Sequence, residues 1–341
     1  MSSRVRNFII SFIIATLIFS LVAIYGVKLI DKYILNPESE KTEEITEEPT
    51  DIPETAEPTQ TAQQILGNGK SFNFVLIGSD YQPDVYDDYD VPNDGKLTPA
   101  RAICADTIIF GMFSKEHNEF IITPIDPDCI VSYNGVRMSL RRAFGYAGEK
   151  FVCDKVSLMV GLAIDYYASV EIDALIEIID HLGGVDYNVP ETIEFVQYVK
   201  KENGEDNDED DSVEDDEYEE KSIILQKGEQ HLTGEQALAL LRYKDYEGKT
   251  NRMDLGADFT VSVLKQLTAD YLNKQNYKSM YAFCASRVKT NYTLAALEEN
   301  LDMIFRFSSM SVTYISYPVK ETSNGVEADT KKGNEIFSKY R

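Results

Sequence analysis

A cluster of basic side chains lies in the segment LTGEQALALLRYKDYEGKTNR (232–252): Arg242, Lys244, Lys249 and Arg252. Arginine donates two parallel hydrogen bonds to phosphate or carboxylate oxygens, and lysine supplies a point charge. Such a cluster can bind an anionic ligand, or it can be an exposed charged loop in water. The local sequence leaves both interpretations open.

Two aspartates occupy positions at which a carboxylate can take part in ligand chemistry. Asp80 follows the apolar segment SFNFVLIG, and open α/β sheets bind ligands beyond the ends of such strands. Asp106 opens the apolar segment DTIIF. Each residue could also be a surface aspartate, so position alone does not assign a role to either.

The chain of 341 residues has a formal net charge of −25, but the acid is unevenly distributed. Residues 36–60 hold nine carboxylates and one lysine, a net charge of −8; residues 202–220 hold thirteen carboxylates and no base, a net charge of −13. The remainder carries about −4 and is nearly neutral. Because no dense basic stripe is present, nucleic acid is excluded as a partner.

The N-terminal part of the chain predicts a membrane anchor. Residues 8–27 form an uncharged apolar run, and twenty residues at about 1.5 Å per residue span the bilayer core. A cleaved signal peptide is the alternative, but the run is longer than such an apolar region and no A-x-A-like site follows directly. We therefore expect a cytoplasmic tail (1–7), a transmembrane helix (8–27), an acidic disordered stalk (28–70) and a large extracellular domain (71–341).

The segment after residue 70 predicts one α/β sandwich, because strand and helix patterns interleave along it. A strand at Phe72–Ile77 is expected to end at Gly78, and DTIIFGMF and EFIITPI are expected to form a hairpin. Thr233 and Gln236 have the spacing of a helix capping box. Residues 202–220 are expected to form a solvated loop inserted into this domain.

Two of the four cysteines are expected to face each other across the predicted hairpin. The numbers of Cys104 and Cys129 sum to 233, twice the centre of the predicted turn. Outside the cell such a pair can oxidise to a disulfide. The alternative is a pair of small buried apolar residues.

Several segments together resemble the LytR-CpsA-Psr family of cell-envelope enzymes, over about residues 71–341. They are FVLIGSD, ADTIIF, VGLAIDYYASVEIDALIEIIDHLGGVDYNVP, LQKGEQHLTGEQALALLRYK and VKTNYTLAAL. The resemblance implies an α-β-α sandwich with a mixed central sheet. It also implies a transferase that moves a glycopolymer, such as teichoic acid or capsule, from a polyprenyl-pyrophosphate carrier to peptidoglycan. The lipid would lie in an apolar tunnel, with the pyrophosphate and Mg²⁺ at its mouth.

The same resemblance assigns roles to particular residues. Asp80 and Asp106 match the metal-site aspartates, and Asp128 matches the aspartate of a PRD segment. Arg242 and Arg252 match two phosphate-binding arginines, and these five residues form the expected catalytic set.

Other positions depart from the family pattern, and all of these except Lys244 and Gly256 replace an arginine by a neutral residue. Lys244 stands where a further phosphate-binding arginine is usual. The remaining departures are Gln82 and Cys104 at positions where arginine is usual, Pro127 in place of the PRD arginine, and Leu255 and Gly256 in place of an Arg-Gln pair. Nearby arginines that could compensate are Arg101, Arg137, Arg141 and Arg142. The sequence thus favours an Mg²⁺-dependent transferase and leaves a non-catalytic binder of polyprenyl phosphates as the alternative.

Overall fold

The computed structural model describes residues 71–82, 102–200, 218–246, 251–269, 277–323 and 325–341. Several predictions lie outside these residues: the tail (1–7), the anchor (8–27), the stalk (28–70), most of the acidic insert (202–217), Arg101 and Lys249. Within the described ranges, no helix has the length and apolar character needed to cross a bilayer.

Strands and helices alternate along the described chain. The strands are β1 (Ser71–Tyr81), β2 (Ile103–Ser114), β3 (Glu119–Ile125), β4 (Ile130–Tyr133), β5 (Val136–Ser139), β6 (Tyr166–Glu171), β7 (Val185–Val189), β8 (Ile193–Lys200), β9 (Tyr218–Leu225), β10 (Gly228–Leu232), β11 (Lys289–Thr290), β12 (Ser311–Tyr314), β13 (Val319–Thr322) and β14 (Gly325–Ala328). The helices are α1 (Leu140–Val160), α2 (Ile172–His181), α3 (Gly234–Arg242), α4 (Arg252–Leu267), α5 (Tyr277–Ala285), α6 (Leu294–Phe305) and α7 (Thr330–Phe337).

A six-stranded mixed sheet forms the centre of the domain, in the order β11-β6-β1-β2-β3-β12. The strands β1, β2 and β3 are antiparallel neighbours, whereas β6 runs parallel to β1 and β12 parallel to β3. The three central strands are almost entirely apolar because helices cover both faces of the sheet. This confirms the predicted mixed central sheet.

The two faces of the sheet pack against different helices. On one face, Phe110 of β2 packs with Val156 of α1 and Phe337 of α7. On the other face, Ile109 packs with Val261 of α4 and Met303 of α6. Successive strand residues point to opposite faces, so adjacent Ile109 and Phe110 belong to different cores. The arrangement is the expected α-β-α sandwich.

The predicted hairpin between β2 and β3 is correct, including its register. Ile108 faces Ile125, so facing residue numbers sum to 233 as expected. Of the two alternatives for this cysteine pair, the structure has the second: Cys104 and Cys129 are both buried and form no disulfide. The ladder ends at Ile125, and the chain then turns, with the Cys129 amide donating to the Asp126 carbonyl at 3.1 Å. Cys129 therefore leaves the strand before it can face Cys104.

Two element boundaries differ from the sequence expectations. The first strand continues through Gly78 to Tyr81, with a bulge between Gly78 and Ser79. Residues 218–220, assigned to the acidic loop, belong to β9, because pairing with β8 extends to Lys200 and Tyr218.

His231 fixes the turn after α2 to strand β10. Its Nδ1 and Nε2 lie 2.6 Å from Asp186 Oδ1 and 2.6 Å from the Gly183 carbonyl oxygen. Both partners accept hydrogen bonds, so the doubly protonated ring is favoured, and the hydrogen bond that the ring donates to Asp186 is the main cause that raises the pKa of His231.

We therefore expect the stabilisation from His231 to be full below the unfolded-state pKa, about 6.5, and to be lost as pH rises through the higher folded-state pKa. Because the pair is exposed, the effect should be under about 1 kcal/mol. Urea unfolding across this range should show a pH slope that is flattened in His231→Gln and flattened in part in Asp186→Asn, where the Gly183 carbonyl still accepts from the ring. An unchanged slope in both variants would contradict the assignment.

Candidate active site

An apolar cavity of about 860 Å³ lies between one face of the sheet and helices α2 to α6. Its apolar wall includes Phe74, Leu76, Leu175, Phe259, Met280 and Leu297. Residues two apart on β1 point to the same face, which is why Phe74 and Leu76 both line it. The cavity therefore has the shape and chemistry to receive an apolar chain.

One end of the cavity, here called the mouth, is polar and charged. The lining residues there are Asp80, Gln82, Asp106, Arg141, Arg242, Lys244 and Arg252. They come from the ends of β1 and β2, from the start of α1, from the end of α3 and the residues after it, and from the start of α4. The structure thus brings four of the five sequence-predicted catalytic residues to one cavity.

Arg242 and Asp80 form an ion pair across the mouth. The Arg242 Nη2 atom donates to Asp80 Oδ2 at 3.0 Å. Arg242 is the last residue of α3, and the predicted capping box fixes the start of this helix: Thr233 Oγ1 accepts from the Gln236 amide, and Gln236 Oε1 accepts from the Thr233 amide. The helix position therefore determines where the guanidinium reaches β1.

Asp106 owes its position to the bulge in the β1–β2 ladder. Gly78 faces Thr107 and Ser79 faces Ala105, so Asp106 is the additional residue of β2. Bulges redirect side chains and are common beside active sites. With this geometry, Asp106 lies on the cavity near Asp80 although the two belong to different strands.

Groups that raise and groups that lower the pKa of Asp106 lie around its carboxylate. Its Oδ2 accepts a hydrogen bond from Gln82 Nε2 at 2.6 Å, whereas its buried Oδ1 has no hydrogen-bond partner. Burial is the main cause that raises the pKa of Asp106, and the nearby Asp80 carboxylate adds to this. The opposing influences are Arg141, Gln82 and Arg252.

Arg141 connects Asp106 to Asp128. Its Nε lies 3.6 Å from Asp106 Oδ1 and 3.5 Å from Asp128 Oδ1. Asp128 is the exposed member, with 60% of its side chain accessible, and neighbouring Pro127 rather than Asp128 lines the cavity. The sequence placed Asp128 in the catalytic set. In the structure Asp128 does not line the cavity but forms an ion pair with Arg141, which does.

The remaining predicted cations differ in how they reach the mouth. Arg252 is the first residue of α4, so the positive end of the helix dipole reinforces its charge. Lys244 is exposed and follows α3.

Two of the described arginines that could compensate lie elsewhere. Arg137 pairs with Glu327 at 2.8 Å, and the buried Arg142 donates to Tyr146 at 3.4 Å. The sequence indicated Arg141 only as one of four arginines that could compensate for the lost positive charge. Its position at the mouth depends on the chain turn at 126–129, which the sequence did not predict.

The two mouth aspartates fit the way proteins bind Mg²⁺. This ion is usually held by one or two carboxylates plus substrate phosphate oxygens, while it keeps several waters. Asp106 Oδ1 makes no hydrogen bond and lies near the Asp80 carboxylate, with Arg141 Nε 3.6 Å away. Within the described residues, no cluster of three or more His, Cys, Asp or Glu side chains is present. A pair of carboxylates suits a partly hydrated ion of this kind.

Replacing the Asp106 carboxylate by an amide should stabilise the metal-free domain. A buried Asp whose folded-state pKa is raised lowers stability as pH rises above its unfolded value, about 3.9. Asp106→Asn should therefore raise Tm at neutral pH in the presence of a chelator, and the gain should vanish in acid. Differential scanning calorimetry at both pH values would show this.

Asp128→Asn is the matched control, because Asp128 also faces Arg141 but is mainly exposed. We expect no comparable rise in Tm for this variant. A lower Tm for Asp106→Asn at neutral pH would contradict the inferred cost of burying the Asp106 charge.

Curated relatives share modest identity with the chain. A teichoic acid transferase of Enterococcus faecalis (polyisoprenyl-teichoic acid–peptidoglycan teichoic acid transferase TagU) is 23% identical over 243 residues, covering 70% of this chain and 67% of that protein. TagV of Bacillus subtilis is 30% identical over 122 residues, covering 35% and 27%. An uncharacterised protein of Staphylococcus aureus is 26% identical over 165 residues, covering 47% and 36%. The chain thus spans between about a quarter and two thirds of these relatives.

Solved structures share the fold. Bacillus subtilis TagV superimposes with a TM-score of 0.56 at 19% identity, covering 80% of this chain and 98% of that chain. A structure described as TagT bound to LIIa-WTA gives a TM-score of 0.53 at 17% identity, covering 80% and 90%. The model of the LytR_cpsA_psr family matches residues 35–339. This chain therefore belongs to the LytR-CpsA-Psr family.

Proposed function

We propose that this chain is an Mg²⁺-dependent phosphotransferase that moves a glycopolymer from a polyprenyl-pyrophosphate carrier to peptidoglycan. One observation carries the proposal. An apolar cavity of about 860 Å³ opens at a mouth that contains two aspartates and at least three arginines. An apolar chain with a charged phosphate head matches both parts. Relatives named as teichoic acid transferases support this substrate class.

The polyprenyl chain would lie along the apolar wall, against Phe74, Phe259 and Leu297. Burying apolar surface contributes about 25 cal/mol per Å², so a long isoprenoid gains much binding free energy from this contact alone. The head group must then stay at the mouth because charged groups are costly to bury without partners. Lipid burial therefore positions the pyrophosphate.

At the mouth, Arg242, Arg252 and Lys244 would bind the phosphate oxygens, and Asp80 and Asp106 would hold the metal ion. Bound Mg²⁺ supplies charge neutralisation on the phosphate oxygens. Phosphoryl transfer depends mainly on positioning and charge stabilisation, so this residue set suits it. Asp128 would pair with Arg141 on the side of the guanidinium next to Asp106.

The proposed reaction is a displacement at phosphorus. An acceptor hydroxyl of peptidoglycan forms a bond to the phosphorus that carries the glycan, and the bond from that phosphorus to the bridging oxygen breaks. Polyprenyl phosphate leaves with the bridging oxygen, and the hydroxyl proton passes to a carboxylate at the mouth. The cations stabilise the charge that develops on the leaving phosphate.

The proposed location is the outer face of the cell membrane, with residues 8–27 as the anchor and the stalk as a spacer. The apolar run and the acidic segment after it support this location. A carrier lipid in the same membrane could then deliver its head group to the mouth.

A second candidate function is lipid binding without catalysis, in a regulatory or scaffolding role. Neutral Cys104 and Pro127 stand at positions where the family pattern has arginines, and Leu255 is buried and apolar where a cation is usual. Each lost charge-assisted hydrogen bond to phosphate removes about 1.5–3 kcal/mol, or roughly ten-fold or more in rate.

The deciding experiment is release of polyprenyl phosphate from a pyrophosphate-linked glycan by the full chain in lipid nanodiscs. Turnover that requires Mg²⁺ and stops on chelation is the expected result. Asp80→Ala should reduce turnover by at least about 100-fold, because the ion and Arg242 both lose a partner. Arg137→Gln is the matched control, since Arg137 pairs with Glu327 away from the cavity, and its turnover should equal the wild-type value.

Wild-type turnover in Asp80→Ala would contradict the proposed metal site. If the wild-type chain binds the lipid pyrophosphate but gives no turnover with several acceptors, the non-catalytic function replaces the transferase.

A further inference from the structure

Arg141 has a polar atom that the folded chain leaves without a hydrogen bond. Its Nε is buried and has no hydrogen-bond partner, although the side chain lines the mouth and is 25% exposed. Buried donors in folded proteins are nearly always satisfied, so an exception needs an explanation. The two carboxylates beside it, at 3.5 Å and 3.6 Å, are ion-pair neighbours but do not complete this bond.

Backbone hydrogen bonds, rather than these carboxylates, fix the place of Arg141. Its amide donates to the Pro127 carbonyl at 2.7 Å, and the Leu140 amide donates to the Cys129 carbonyl at 2.8 Å. Ser139 caps the same helix end, with its side chain accepting from the Arg142 amide. The start of α1 is therefore attached to the 126–129 turn, which brings the guanidinium to Asp106.

We propose that Arg141 is a phosphate-binding residue that supplies a cation at the side of the mouth where Pro127 and Cys104 are neutral. The inference rests on the proposed function, because it assumes a phosphate-bearing lipid in the cavity. The ligand chemistry is that of a pyrophosphate group on an apolar chain. Phosphate oxygens would accept from the guanidinium donors of Arg141, which form a planar fork suited to them.

The position of Arg141 complements that of Arg242. Arg242 meets Asp80 at the end of β1, and Arg141 meets Asp106 on β2, so the two arginines flank the aspartate pair. If these aspartates held a metal ion, their charge toward the arginines would be neutralised, and donors of Arg141 and Arg242 would be available for phosphate.

A purely structural role would be different. Arg141 would then serve only to hold Asp106 close to Asp128, and the head group of a ligand would make no contact with Arg141. The two roles differ in how binding responds to the ligand's phosphate groups and to loss of Asp128.

The test compares farnesyl pyrophosphate with farnesol, in Mg²⁺, by isothermal titration calorimetry on the full chain in nanodiscs. Arg141→Gln should weaken farnesyl pyrophosphate binding by about ten-fold and leave farnesol binding unchanged, because only the head group loses a donor. Arg141→Lys keeps the charge but not the planar fork, so its affinity for farnesyl pyrophosphate should lie between those of the wild type and Arg141→Gln. Arg137→Gln, an arginine whose partner Glu327 lies away from the mouth, should match the wild type for both ligands.

Asp128→Asn separates the two roles of Arg141. If Arg141 binds phosphate, removing this competing carboxylate should strengthen farnesyl pyrophosphate binding. A loss equal to that of Arg141→Gln would overturn the proposal and show a structural role.

Unchanged pyrophosphate affinity in Arg141→Gln, with the wild type still preferring pyrophosphate over farnesol, would overturn the Arg141 assignment alone. If the wild type binds both ligands equally, the proposed function fails with it. The melting temperature of each variant, measured without ligand, shows that the compared proteins are folded.

Discussion

The apolar cavity on one face of the sheet, which the side chains of the protein do not fill, is the constraint on which the rest of the structure depends. Side chains that line such a cavity make fewer packing contacts within the protein, which costs stability. The opposite face compensates with dense packing, in which the fully buried Phe110 meets Phe337 edge-on at 5.4 Å between ring centroids. The six-stranded sheet thus separates a face that stabilises the fold from a face that is left open for a ligand.

Each aspartate at the mouth of the cavity is paired with an arginine of the same domain. Arg242 with Asp80, and Arg141 with Asp106 and Asp128, place opposite charges together in a partly buried setting. A cation alone would displace the arginines from their partners, and an anion alone would do the same to the aspartates. In the proposed function, a metal ion and a phosphate therefore favour each other's binding, because each occupies the groups that the other releases.

Local interactions made much of the fold predictable from the sequence. The β2–β3 register follows from a short polar turn between apolar strands, and the capping box at Thr233 depends on residues three apart. The positions of Asp80 and Arg242 followed from these elements together with the family resemblance. Their mutual contact joins residues 162 positions apart and could not be read from either segment.

The features that the sequence did not reveal depend on small irregularities and on long-range contacts. A one-residue bulge places Asp106 on the cavity, and no residue pattern marks where a ladder will shift. The turn at 126–129 removes Cys129 from the strand and carries Arg141 to the mouth. Both outcomes are set by backbone hydrogen bonds that form only once the strands and α1 are in place.

The buried cysteines have a consequence for how the protein matures. Burial raises the pKa of Cys129 to about 12 and that of Cys153 to about 12, so the reactive thiolate is scarcely populated at neutral pH. Cys284 behaves similarly, with its pKa raised to about 11 by burial. The described fold contains no disulfide, so we expect its stability to depend little on the redox state of its surroundings.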